Sequence, residues 1–263
     1  MLQVPPENVQ WVCASTDLNL SKYLTTTITV FMRDQTSVVI YHKFRKCSIP
    51  ANIPEEDYYK RVYNLISEHG KELKALGIHI DAWAIDANGT PFNAITDFCR
   101  NSMRICGLKA GAFIGKASHM YRSFLKSRLK EDVNRTLLCG NEDEHKKSGT
   151  GRKYTFFDSD LYHEKVQQGF LQALGNIGSI SWYDGTDHAK WAIQVCAEKL
   201  IGKKGKGDGT TEYIWRQMGE DHDALDSIGQ ALAAYATMGF STGMSGRQGK
   251  RYIVKRKPKI KVV

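Results

Sequence analysis

The sequence predicts an α/β chain, a mixed sheet flanked by helices and followed by a basic tail. Three observations predict it. Val, Ile, Thr and aromatic residues crowd three short runs within residues 11–44, separated by polar breaks. From residue 54 onward, helix-spaced apolar stripes alternate with short apolar runs. From Arg247 to Lys261 there are eight Lys or Arg residues and no acid.

The elements follow in order. Residues 11–18, 25–33 and 36–44 read as strands. In the second, Ile28, Val30 and Met32 alternate with other residues, and Arg33-Asp34-Gln35 suits a hairpin, so an antiparallel meander opens the fold. After Pro54, the acids Glu55, Glu56 and Asp57 suit the positive end of a helix. Val62, Leu65, Ile66, Leu73 and Leu76 form its stripe, and Gly77 stops it. A strand over 78–85 delivers Asp86 to the turn 87–89. A helix over 91–103 then turns Phe92, Ile95, Phe98 and Met103 inward, and 110–114 is another strand. Residues 117–130 read as a basic amphipathic helix and 140–151 as an exposed polar loop. A strand at 153–157 runs into Asp158-Ser159-Asp160, a helix start, and that helix extends to Leu174. A short strand falls at 180–183. GKKGKGDGTTE (202–212) reads as a flexible turn before the strand EYIWRQM, and 222–238 is the last helix. Residues 1–10, with two prolines and no period, read as a linker from an upstream domain. Residues 11–240 form one domain, and 241–263 a flexible basic tail.

Composition narrows the function. An apolar share of 41% supports a core and excludes global disorder. No apolar stretch reaches the ~20 residues of a membrane-spanning helix. The six cysteines form no CxxC pair, which excludes zinc-ribbon and thioredoxin readings and suits reduced thiols. The net charge is +9, and removing the eight tail cations leaves +1, so a near-neutral body carries a basic tail. Such a tail suits phosphate contacts without sequence readout. No GxxxxGK[ST] loop is present, and GKKGKGDGT lacks its setting.

Three aspartates carry the chemistry. Asp17 closes one apolar run, Asp86 closes another, and Asp226 lies in the helix-like DHDALDSIGQALAAYA, where Asp223 shares its face. The strand and helix order is that of the ribonuclease H-like fold, in which the first and fourth strands are neighbours. That order brings Asp17 beside Asp86, with a late helix carrying Asp226 to them. Carboxylates so arranged suit hard divalent cations, and a pair of ions clamps both oxygens of a phosphodiester displacement. Each aspartate taken alone is better explained by turn chemistry or helix capping, and it is the order of all three that favours a metal site. Lys116, Arg122, Lys126, Arg128 and Lys130 are candidates for a DNA path, as are Arg251, Lys255, Arg256 and Lys257 in the tail; a solvated face is the competing reading. Asp158 and Asp160 read as helix caps.

In the segments ASTDLNLSKYLTTTITVF, AWAIDANGTPFNAITDFCR and DHDALDSIGQALAAYA, and in their spacing, the chain resembles the C-terminal nuclease domain of large terminase subunits from tailed bacteriophages, nearest the lambda-type branch. The resemblance runs over about residues 4–238. It implies a metal-dependent endonuclease that cuts concatemeric double-stranded viral DNA during packaging, in the host cytoplasm. It also implies two Mg²⁺ or Mn²⁺ ions, with Asp17 bridging them, Asp86 completing one shell and Asp226 or Asp223 the other. Its implied partners are a packaging ATPase domain, a small terminase subunit and the capsid portal. The alternatives are another ribonuclease H-like nuclease, such as a junction resolvase, or a non-catalytic module binding DNA or the portal.

Overall fold

β-Branched residues open the fold as long strands. In the computed structural model, which describes residues 6–50, 52–89, 91–129, 137–141, 153–183, 188–207, 211–219 and 221–238, they form β1 (Val9–Asn19), β2 (Tyr23–Met32) and β3 (Ser37–Lys46). For residues 6, 124–129, 137–141 and 153 the description stops at the backbone. The remaining elements are α1 (Glu55–Ala75), β4 (Ala82–Asp86), α2 (Phe92–Cys106), β5 (Ala110–Lys116), α3 (Ser118–Leu129), β6 (Leu137–Asn141), β7 (Lys153–Asp158), α4 (Ser159–Leu171), β8 (Ile180–Trp182), α5 (Ala189–Val195), β9 (Glu198–Gly205), β10 (Thr211–Gln217) and α6 (Asp223–Thr237).

One sheet runs in the order β6-β7-β5-β4-β1-β2-β3-β8. β1, β2 and β3 are the expected antiparallel meander; β4 lies parallel to β1, β5 to β4 and β7 to β5. This ribonuclease H-like arrangement sets the first and fourth strands side by side, so their C-terminal ends share one edge. The β2–β3 hairpin turns through Gln35 at φ 67°, and the Asp34 carboxylate accepts from the backbone and hydroxyl of Thr36 at 3.0 and 2.7 Å.

Each face of the sheet carries its own core. On one, α1 and α2 bury Val62, Ile66, Leu73, Ile95 and Phe98 against Leu24, Ile28, Trp83 and Ile85. On the other, α6, α4 and α5 cover Cys13, Phe31, Val39, Ala84 and Phe113. α6 is buried over most of its length, and its small residues Ala224, Ala231, Ala233 and Ala234 let it lie close to the sheet. Trp191 packs into this second core, as a structural aromatic would.

Several expectations need correcting. The strand after α1 starts at Ala82, not 78, because Asp81 ends the approach: its carboxylate accepts from Val12 N at 2.9 Å and its own N–H donates to Val12 O. Met103 is 62% exposed; Ser102 and Cys106, one and two turns beyond Phe98, take the inward face instead. Leu76 sits past the last turn of α1 and is exposed, while His69 and Gly70 join the buried stripe. α4 stops at Leu171 because Gln172 is extended, before a turn with Gly175 and Gly178 at positive φ. Much of the GKKGKG stretch is strand: β9 pairs with β10 as a separate two-stranded ribbon. Its lysines and glycines hide a ladder whose hydrogen bonds are all backbone. The polar loop read at 140–151 begins inside β6, and residues 142–152 lie outside the described residues. α5 had no signal in the sequence reading.

Candidate metal centre

Strand register places the first two aspartates together. Thr16 pairs with Ile85 across the parallel β1–β4 ladder, so Asp17 comes level with Asp86, the last residue of β4. Level residues of neighbouring strands face the same way. That face is the one α6 crosses.

The crossing is fixed by hydroxyls. Ser15, Thr27 and Ser227 are fully buried, with Ser227 Oγ 2.9 Å from both Ser15 Oγ and Thr27 Oγ1. Ser15 Oγ also donates to Ser227 O. Unpaired, these groups would cost about 1–3 kcal/mol each, so they specify where α6 sits. The helix start is held too: Gln194 of α5 accepts from Ala224 N at 3.1 Å, satisfying one of the open N–H groups of the first turn. Asp223 and Asp226 therefore arrive over the strand ends. Carboxylate oxygens of Asp17, Asp223 and Asp226 all lie within 4.8 Å of one another.

Asp86 stands at the edge of this group. It is 8% exposed, and its Oδ1 accepts from Asn88 N and Nδ2 at 3.2 and 2.8 Å, the turn chemistry its sequence suggests. Burial, with the Asp226 charge added, outweighs those hydrogen bonds and pushes its pKa to about 7. For Asp17, burial and then the charges of Asp226, Asp86 and Asp223 push the carboxyl well above the usual range. Asp223 is raised by burial and by Asp226. Such crowding of acids is unfavourable alone. The donor set is all oxygen, as hard divalent cations require, and a cation would relieve the repulsion.

Asp226 differs from its neighbours. Burial would raise its pKa, but the charge and hydrogen bond of His163 and the charge of His222 hold it below the usual range. His163 Nε2 lies 2.7 Å from Asp226 Oδ1, and His222 Nε2 lies 3.2 Å from Oδ2. Burial works against the charge on His163, yet Asp226 and Glu198 outweigh it and raise its pKa to about 10. His163 comes from α4 and Glu198 from β9.

Residues 2–247 match the family model described as terminase large subunit gpA, endonuclease domain. The chain belongs to this family. Among solved structures, this gpA-type endonuclease domain is similar to Thermus thermophilus RuvC, at 10% identity over 87% of this chain and 96% of that one, with a TM-score of 0.34. A second structure of T. thermophilus RuvC, in complex with a Holliday junction substrate, matches at 11% identity, covering 88% and 97%, with a TM-score of 0.34. A mutant nuclease domain of the large terminase subunit gp2 of bacterial virus Sf6, with manganese and beta-thujaplicinol, matches at 13% identity, covering 86% and 88%, with a TM-score of 0.41. No curated protein matches the chain.

In this gpA-type domain Asp17, Asp223 and Asp226 come together, with Asp86 level with Asp17 at their edge. Lys116 ends β5 on the same sheet edge, level with Asp158 of β7. Arg122 lies on α3, and its charge acts on Asp158 and Tyr213. Lys126 and Arg128 lie on α3 with side chains outside the described residues, as do Lys130, Arg251, Lys255, Arg256 and Lys257 entirely. Asp158 caps α4 through Leu161 N at 3.1 Å and accepts from Ser118 Oγ. Asp160 does not cap: its oxygens accept from Ser118 N and Trp215 Nε1, at 2.6 and 2.9 Å, and tie the ribbon to α3. The sequence reading missed His163 and Glu198. His163 lies in YHEKV and faces Asp226 only through tertiary contact, so no spacing could have marked it.

Proposed function

We propose that this chain is a divalent-metal-dependent endonuclease that cuts concatemeric double-stranded viral DNA during genome packaging. One observation carries the reading: in a member of the terminase endonuclease family, Asp17, Asp223 and Asp226 from β1 and α6 crowd one sheet edge with Asp86 of β4 beside them, and burial and mutual repulsion raise Asp17, Asp86 and Asp223 while histidines hold Asp226 low. Asp17, Asp86, Asp223 and Asp226 would hold two ions, Mg²⁺ or Mn²⁺, with Asp17 shared. Bound there, such ions supply water activation at neutral pH and charge neutralisation at the departing oxygen. The chain's own residues set the stage. The strand ends and α6 fix the carboxylates before substrate arrives, and Lys116 and Arg122 offer phosphate contacts along the same edge. Lys126, Arg128 and Lys130, with the tail cations Arg251, Lys255, Arg256 and Lys257, extend that path without reading bases. The product carries a 5′ phosphate. A packaging ATPase domain, a small terminase subunit and the capsid portal would be the chain's partners in the host cytoplasm. Among the described residues no helix is long and apolar enough to cross a membrane.

The test incubates purified protein with supercoiled plasmid, with and without Mn²⁺ or Mg²⁺, beside Asp86→Ala, and repeats it with a four-way junction in competition. Metal-dependent nicking and linearisation, lost in Asp86→Ala, supports the proposal. Cutting that survives the substitution, or a strong preference for the junction, counts against it.

A further inference from the structure

Both oxygens of Asp226 are occupied by histidines, and the two histidines are built differently. His163 is 7% exposed, and its ring is wedged where α4 meets α6. A Cβ at Gly229, one turn beyond Asp226, would lie 3.4 Å from His163 Cδ2, at van der Waals contact, so the ring packs directly against α6. The Trp215 ring packs edge-on at 6.0 Å between centroids. Behind it, His163 Nδ1 lies 3.7 Å from Glu198 Oε2, on β9. His222 shares Glu198, at 3.7 Å from its Nδ1, and its ring lies edge-on to His163 at 6.5 Å between centroids, but it is held more loosely. It is 36% exposed at the entrance to α6, makes no capping hydrogen bond, and reaches Asp226 Oδ2 at a longer 3.2 Å.

We infer that His163 is a positioning residue for Asp226, holding Oδ1 so that Oδ2 faces the acidic cluster, and that His222 is a placeholder which an incoming divalent cation displaces from Oδ2. This rests on reading Asp226 as a metal ligand. The physical reason is asymmetry of freedom. A cation needs one oxygen of Asp226, and the ring held by packing on two helices cannot yield as cheaply as the ring at a half-exposed helix entrance. A carboxylate ligand oriented by a fixed hydrogen-bond donor binds metal better than one that must be ordered on binding. Asp226 needs a donor at this position and not a charge, so an amide of similar reach should serve. Glu198 adds a second consequence. It faces both histidines, at 3.7 Å each, so the foot of the β9–β10 ribbon is joined to the metal centre.

The experiment measures Mn²⁺ affinity by titration calorimetry on the full chain without DNA, for wild type, Asp226→Asn, His163→Ala, His163→Gln, His163→Asn and His222→Ala, with a thermal melt in EDTA for each. His163→Ala is expected to weaken Mn²⁺ binding by about 10- to 100-fold, the cost typical of losing a partner that orients a metal ligand. His163→Gln should recover most of that loss, while His163→Asn, too short to reach Oδ1, should not. His222→Ala should bind Mn²⁺ as tightly as wild type or more tightly. The inference is overturned if His163→Ala binds like wild type, if Gln rescues no better than Asn, or if His222→Ala weakens binding as His163→Ala does. Should His163→Ala fail to fold, the Gln and Asn pair decides alone. Asp226→Asn separates the two levels. If it leaves Mn²⁺ affinity unchanged, the metal-centre reading falls and takes this inference with it; if it weakens binding while His163→Ala does not, only this inference falls.

Discussion

Replacing Asp86 with asparagine should stabilise the metal-free protein while removing its response to metal. Asp86 is buried, and that burial, reinforced by the Asp226 charge, raises its pKa from 3.8 to about 7. At about 1.4 kcal/mol per tenfold change in proton affinity, ionising it in the fold costs up to about 4 kcal/mol. The sign follows from the direction. A raised folded-state value means that Asp86 contributes fully below the unfolded value near 4, and that this contribution is lost as pH rises through about 7. Asparagine keeps the Oδ1 acceptor for both Asn88 hydrogen bonds and has nothing to ionise. In EDTA at pH 8 the variant should therefore melt higher than wild type by on the order of 10 °C at most, at about 2–4 °C per kcal/mol. The gap should close by pH 4. Saturating Mn²⁺, at a hundredfold over its dissociation constant, should add about 2.7 kcal/mol to wild type and much less to the variant. Thermal melts read by circular dichroism across pH 4–8, with EDTA or Mn²⁺, measure all of this. Equal melting of the two proteins at pH 8 in EDTA, or a gap that does not change with pH, would refute the reasoning.

Three further outcomes test the framework around the site. Gly70→Ala places a Cβ 2.8 Å from Cys106 Sγ and 2.9 Å from Trp83 Cζ3, so urea denaturation should show a loss of about 1–3 kcal/mol; an unchanged midpoint contradicts the close α1–α2 approach. Ser227→Ala leaves Ser15 and Thr27 short of a buried partner and should cost about 1–3 kcal/mol in the same assay, whereas a neutral result would mean the hydroxyls do not set α6. Trp215→Phe removes the hydrogen bond to Asp160. It should raise the rate of limited proteolysis within the β9–β10 ribbon and leave the global melt within a few degrees; equal proteolysis shows the ribbon is held by its other contacts.

The meander and the late helix were legible because their signals are local. β-Branched runs such as Thr25 to Val30 and the alanine-rich face after Asp226 name their own secondary structure. The meeting of Asp17, Asp86 and Asp226 was legible one level up, through element order, since neighbouring strand ends follow from topology. What stayed hidden depends on contacts that no local pattern encodes. β9 reads as Lys and Gly because one of its faces lies in solvent and its ladder uses backbone alone. Met103 falls beside the buried stripe of Ser102 and Cys106, and Leu76 lies past the last turn of α1, so their apolar period does not reach the core. Asp160 resembles a first-turn acid, yet its partners Ser118 and Trp215 lie 42 and 55 residues away. His163 is hidden in the same manner, 63 residues from Asp226.

The central claim is that Asp17, Asp86, Asp223 and Asp226 form one divalent-cation centre. Crystals soaked in Mn²⁺ and measured at the manganese absorption edge test it most directly. The account predicts anomalous peaks in contact with Asp17 and Asp226, with Asp86 and Asp223 completing the shells. Peaks that avoid all four aspartates, or none at saturating Mn²⁺, would contradict it.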